Sequence, residues 1–226
     1  MKCELVSSLA DVNRNEWDSL NTSNHPFTSY DFLNSLEMSE SVTAKTGWNP
    51  QHIIIKNNTG NIIGASPNYL KMHSYGEYIF DHAWANAFEN AGGQYYPKLL
   101  SAIPFTPATG PRILIDPKNP DNNKIFELII KMFEVIVQNN NLSSAHINFI
   151  TDNLNKKLNN EKWIKRKGLQ FHWHNKDYNS FDDFLSKLKS SKRKAIRKER
   201  RTILNNNLII QKVTGNELNN EIWDSF

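Results

Sequence analysis

The sequence predicts an α/β (α+β) chain, a mixed sheet flanked by helices, and three observations carry that reading. "HIIIKNNTGNIIGASPNYLK" (residues 52–71) sets two β-branched runs on either side of "NNTGN". The Asn and Gly of that turn tolerate positive φ, so the stretch reads as a hairpin. "IFELIIKMFEVIV" (125–137) repeats apolar residues at helical spacing around Glu127, Lys131 and Glu134. Those charges make it an amphipathic helix and not a membrane span. Finally, short strand-like runs alternate with helical ones along the chain, the pattern of a mixed sheet with helices packed on it.

The elements follow in order. "CELVSS" reads as a strand, with a short helix around Arg14 to Leu20 after it. "HPFTSYDFLNSLEMS" turns at His25-Pro26 and continues as a helix, apolar at Phe32, Leu33 and Leu36. Beyond the hairpin, Asp81 is placed to cap a helix through "HAWANAFENAG", which Gly92-Gly93 ends. "YYPKLLSAI" and "PRILID" read as strands separated by the loop "PFTPATGP". A helix from about Asn122 to Asn139 precedes the strand "SAHINFI". Then come a short helix at 151–158, the basic connection "EKWIKRKG" and a strand "LQFHWHN". "SFDDFLSKLKSSKRKAIRKERRTILNNN" gives one or two helices, Ser190 or Ser191 capping the second. "LIIQKV" reads as a strand, and Leu218, Ile222, Trp223 and Phe226 mark the face of a last helix. A chain that stops on a core-facing Phe in mid-helix is expected to be a fragment. Its expected division is a first domain over 1–150, then a connection and the truncated start of a second over 151–226.

Composition narrows the function classes. A hydrophobic content of 38%, with 12 Phe, 7 Tyr and 6 Trp, is enough to build a core, which argues against disorder. A single cysteine, Cys3, rules out an internal disulfide framework or a thiolate metal site. The N-terminal stretch lacks an apolar signal region, so a cytoplasmic setting is expected. There is no P-loop, dinucleotide fingerprint or nucleophile elbow. His172 and His174 are two ligands without a third, so no metal is expected. The net charge of +4 is uneven: Lys187 to Arg201 holds nine Lys or Arg and one acid, Glu199.

Three stretches carry candidate chemistry. In "HSYGEYIFDHAWA" (73–85), a continuing strand would put His73, Tyr75 and Glu77 on one side. Imidazole, phenol and carboxylate together suit a site that holds an amine and moves its proton, with Asp81 and Trp84 close by. The competing reading is a turn at Gly76 whose polar groups serve the backbone while Trp84 packs in the core. In "QYYPKLLSAIPFTPATGPR", a rigid proline loop sets Lys98 and Arg112 beside Tyr95 and Tyr96, either a ligand wall or a packed crossover. On a helix from Lys192, Arg193, Arg197 and Arg200 take one flank, with Lys194, Lys198 and Arg201 on the other. That crowding is a solvated face, an anion site or a nucleic-acid contact, the last disfavoured because aromatic residues are not interleaved.

With "HPFTSYDFL", "TGWNPQH", "YLKMHSYGEYIFDHAWA", "YYPKLLSAIPFTPATGPR", "FHWHN" and "FDDFLSKLKSSKRKAIRKERR", the chain resembles the bacterial FemAB-like family of peptidoglycan biosynthesis/recognition proteins, grouped with GNAT-type acyltransferases. The resemblance runs from about His25 to the last residue. It implies two tandem GNAT-like domains and direct transfer of an acyl or aminoacyl group to an amine, from acyl-CoA or aminoacyl-tRNA, without a metal. On that footing Glu77 is the candidate base, with His73, Tyr75 and Asp81 at the acceptor side and Trp84, Tyr95 and Tyr96 as substrate contacts. Lys98, Arg112 and the basic residues 193–201 would meet donor phosphates. The acceptor would be a small-molecule or peptide amine, such as a peptidoglycan precursor. One departure stands out: the Q/R-x-x-G-x-G/A loop that holds the CoA pyrophosphate in GNAT enzymes is not found in these 226 residues. The rival expectations are a non-catalytic recognition module for a cell-wall precursor or peptide, and RNA binding through the basic helix, with tRNA as the partner.

Overall fold

The computed structural model describes residues 1–158, 162–206 and 208–226. It divides the chain into two compact units, Met1–Gly168 and Leu169–Phe226.

The first unit is α/β, with two four-stranded sheets flanked by helices, as expected. One sheet is antiparallel throughout and contains β1 (Lys2–Val6), β3 (His52–Lys56), β4 (Ile62–Ser66) and β7 (Leu114–Ile115), in that order. The other runs β2 (Trp48–Pro50), β5 (Tyr69–Lys71), β6 (Lys98–Ser101) and β8 (Ala145–Ile147). Only its β6–β8 pair is parallel. A parallel pair needs a crossover connection. Helix α4 (Asn122–Asn139) lies within that connection.

Three consecutive isoleucines make β3 a strand buried on both faces. Ile54 faces Leu9, Trp17, Leu20 and Leu33, beneath α1 (Arg14–Leu20) and α2 (Tyr30–Met38). Ile53 and Ile55 face the opposite way, onto Ile125, Ile129, Phe133 and Ile136 of α4. That spacing is one stripe of a helix. Gly64 on β4 lets α4 come close, since a Cβ there would sit 2.5 Å from Ile125 Cγ2. The helix starts are satisfied locally: Asn13 accepts from the Glu16 N–H and Ser29 from the Phe32 N–H. The hairpin turn closes through Asn57 Oδ1, which accepts from the N–H groups of Thr59 and Asn61. Inside, His52 Nδ1 accepts from the Asn68 N–H, so Nε2 carries the proton and donates to Glu37 Oε1 at 2.8 Å. This pair ties α2 to β3.

The first unit also contains α3 (His82–Asn90) and α5 (Asp152–Lys157). The second unit contains α6 (Phe181–Ser186), α7 (Ser190–Leu204) and α8 (Asn220–Ser225). The strands expected at "LQFHWHN" and "LIIQKV" are absent: residues 169–176 and 208–213 have no regular structure. An extended run becomes a strand only when a neighbour takes up its N–H and C=O groups, and the described part of this unit offers none. The apolar residues there are accordingly exposed, Ile209 at 95% and Phe171 at 92%. Ser190 and Ser191 do not cap α7; Lys189 holds that position, without a side-chain bond.

Phe133 is fully buried against Trp163 at the centre of the α4 contact. Phe133→Ala is expected to cost about 3–5 kcal/mol, read as a lower urea midpoint at unchanged slope.

Candidate functional site

The second sheet and the loop after β5 build a buried polar cluster. Lys71 ends β5, and the chain then leaves the sheet through residues 72–81. Gly76, Tyr78 and Phe80 take left-handed φ values of 78°, 58° and 50°. This breaks the alternation that would have put His73, Tyr75 and Glu77 on one face, so that expectation is corrected. Glu77 points inward at 2% exposure, Tyr75 outward at 68%, and His73 is half-buried. Gly76 also packs under Phe105, whose ring would lie 2.7 Å from an added Cβ. Asp81 sits at the start of α3 but does not cap it, because its carboxylate turns to the sheet.

Lys98, on β6, is the centre. Its Nζ donates to Ser74 Oγ at 2.8 Å, Asp81 Oδ2 at 2.9 Å and Glu77 Oε2 at 3.0 Å, with all three charged side chains fully buried. The Tyr95 hydroxyl donates to Asp81 Oδ2 at 2.8 Å, and Tyr96 OH lies 2.7 Å from Ser74 Oγ. Asn148 Nδ2 reaches Glu77 Oε2 at 3.5 Å. One oxygen of each acid is thus heavily used. The other two, Glu77 Oε1 and Asp81 Oδ1, are buried without a hydrogen-bond partner among the described residues.

The electrostatics follow from burial and from Lys98. Burial raises the Glu77 carboxyl above its ordinary value, with Lys98 working against it. Burial acts the same way on Asp81, but the hydrogen bond and charge of Lys98 prevail and hold it down at about 2. Lys71 is pulled down to about 7 by burial, aided by Lys98 and opposed by Glu77. His146 is held down at about 4 by burial and Lys98, so it is a neutral imidazole.

Lys98 and Arg112, expected to face donor phosphates, both lie wholly inside. Arg112 spends each nitrogen on a backbone carbonyl, Nε on Asn148, Nη1 on Pro111 and Nη2 on Ala108, which pins the proline loop. Trp84 is 64% exposed, so it is not core. The structure brings Glu77, Asp81, Tyr95, Tyr96 and Lys98 together, with His73, Tyr75 and Trp84 outside the hydrogen-bonded cluster. Along α7, Lys194, Arg197, Lys198, Arg200 and Arg201 are exposed and Arg193 is half-buried. Arg197 pairs with Asp182 at 3.2 Å and Arg200 lies over the Phe181 ring. Among the described residues no group of three metal-ligating side chains forms, and no helix is long and apolar enough to cross a membrane.

Sequence reasoning missed Lys71, Ser74 and Asn148. Lys71 had a signal: it is two residues from the buried Tyr69 on one strand, so it shares that inward face.

The buried cluster of acids and lysines on this mixed α/β frame is the candidate site. The sequence profile of the FemAB-like family, described as peptidoglycan biosynthesis/recognition, matches residues 8–226, and the chain belongs to that family. No curated protein matches the chain. Among solved structures it is similar to an aminoglycoside 6'-N-acetyltransferase, AAC(6')-Ih, from Acinetobacter baumannii, at 11% identity and TM-score 0.46, over 77% of this chain and 97% of that one. It is also similar to AAC(6')-Iy in complex with CoA, at 10% identity and TM-score 0.41, over 77% of this chain and 98% of that one. A third is a ribosomal-protein-alanine N-acetyltransferase from Brucella melitensis biovar Abortus 2308, at 12% and 0.42, over 76% and 100%. At these values none of them assigns a residue a role.

Two stability outcomes follow. Lys98→Met strands two buried carboxylates and is expected to cost about 3–5 kcal/mol. Lys71→Met acts oppositely. Below pH 7 the wild type carries a buried ammonium that costs stability, and the cost fades as pH rises from 7 towards 10.5, where the unfolded lysine also loses its proton. Lys71→Met should therefore be the more stable protein in acid, its advantage shrinking across that window in paired thermal melts.

Proposed function

We propose that the protein transfers an acyl group to a primary amine held at the Glu77–Asp81–Lys98 cluster. The observation that carries this reading is a pair of buried acid oxygens, Glu77 Oε1 and Asp81 Oδ1, that have no partner among the described residues. A buried acceptor without a donor costs about 1–3 kcal/mol, more when charged. An ammonium supplies three donors and the compensating charge. Membership of a family described by peptidoglycan biosynthesis/recognition supports an amine-bearing precursor or peptide as acceptor.

In this reading Glu77 and Asp81 bind the acceptor nitrogen, and the exposed rings of Tyr75 and Trp84, with half-buried His73, contact the rest of it. Tyr95 and Tyr96 fix Asp81 and Ser74. Glu77, named from the sequence as the base, serves first as an anchor, because its other oxygen is committed to Lys98. The donor is an activated acyl thioester of the acyl-CoA kind, with aminoacyl-tRNA as the alternative. Attack is direct, and the second unit belongs to a second GNAT-like domain. The basic residues of α7 form an anion-binding surface whose affinity for phosphate-bearing donors falls steeply with salt.

The test incubates the full chain with acetyl-CoA, longer acyl-CoAs or charged tRNA and a panel of primary amines, reading thiol or tRNA release. Turnover with a thioester is expected, and Asp81→Asn should raise KM for the amine more than it lowers kcat. Amine binding without turnover from any donor would establish the recognition module instead. Binding to RNA alone, lost with salt, would leave only the basic helix with a function.

A further inference from the structure

Lys71 and Lys98 are directly opposed in register on β5 and β6, and Trp48 on β2 stands opposite Lys71. The two lysines therefore leave the sheet on the same face. Like charges directly opposite one another destabilise a strand pair. The site resolves the conflict by unequal partnership. Lys98 has three acceptors, two of them acids. Lys71, equally enclosed, donates to the Tyr75 carbonyl at a long 3.3 Å and otherwise lies 3.5 Å over the Trp48 ring. Among the described residues it forms no ion pair. A buried ammonium needs acceptors for its N–H groups, whereas a neutral amine needs few and keeps a lone pair free.

We propose that Lys71 is the catalytic base, the group that takes the proton from the acceptor amine. This rests on the acyl-transfer reading above. The acceptor arrives as an ammonium on the free oxygens of Glu77 and Asp81. The Lys71 lone pair forms a new N–H bond as one N–H bond of the acceptor breaks. The freed amine attacks the thioester carbon, the C–S bond breaks, and the departing thiolate takes the second proton from the new amide nitrogen. Lys71 then returns its proton to solvent. Its titration near neutrality, set by burial with Lys98 and Glu77 as the facing charges, suits this task, since a base works best close to the operating pH. The Tyr75 carbonyl that Lys71 meets is carried by a loop that turns at Gly76.

The experiment compares the full wild-type chain with Lys71→Met and Lys71→Arg, using acetyl-CoA and a primary amine that the wild type accepts. Both variants should lose about 10²–10⁴-fold in kcat with KM little changed, and the rising acid limb of the pH profile should vanish. In protein labelled with ¹³C at the lysine Cε, one lysine should titrate near neutrality, and its signal should be missing in Lys71→Arg. Transfer within about threefold of wild type by Lys71→Met, with the acid limb intact, overturns the proposal and leaves the acyl-transfer reading standing. A Lys71 signal titrating in the ordinary lysine range overturns it as well. No transfer by the wild type overturns both readings together.

Discussion

The ammonium of Lys98 is the interaction on which the site depends. It gathers Ser74, Glu77 and Asp81, which the chain delivers from a loop and a helix start, onto one strand of a sheet. Burying these charges is expensive, and only their mutual pairing, with the hydroxyls of Tyr95 and Ser74, offsets the loss of water. The left-handed backbone at Tyr78 and Phe80, uncommon for aromatic residues, is held between those two acids. With Glu77 and Asp81 anchored inward, both rings are turned out, Phe80 to 79% exposure.

The two sheets divide the work. The first carries the core on its middle strands, with β3 enclosed by helices on both faces. In the second, Leu99 faces the α4 side, while Lys98 and Leu100 face the other way, with Leu100 joining Trp48 and Tyr69. The polar cluster grows from the edge of that small apolar group, which gives its charges a rigid, dry floor.

What was legible in the sequence was what is local. The hairpin at 52–66, the α4 stripe and the start of α1 are written in periodicity and capping residues, and they stand where expected. Glu77, Asp81, Tyr95 and Lys98 could be picked out by chemical type, but their grouping could not. The strand phase assumed for His73, Tyr75 and Glu77 ends at Lys71, and Lys98 meets acids rather than phosphates. Arg112 looked like a ligand contact and is a clasp for backbone carbonyls. The strands expected at "LQFHWHN" and "LIIQKV" failed for a different reason: a strand is a property of two segments, and one sequence window shows only one.

The sharing of one ammonium by two acids also constrains how this sequence can drift. Losing Lys98 leaves two buried negative charges, and losing one acid weakens the compensation for the lysine, so single changes at these positions are penalised while joint ones are not. Ser74, Glu77, Asp81 and Lys98 should therefore vary across relatives as a block, retained together or replaced together by apolar residues. Tyr78 and Phe80, whose rings point outward, can change one at a time among residues that a left-handed φ admits.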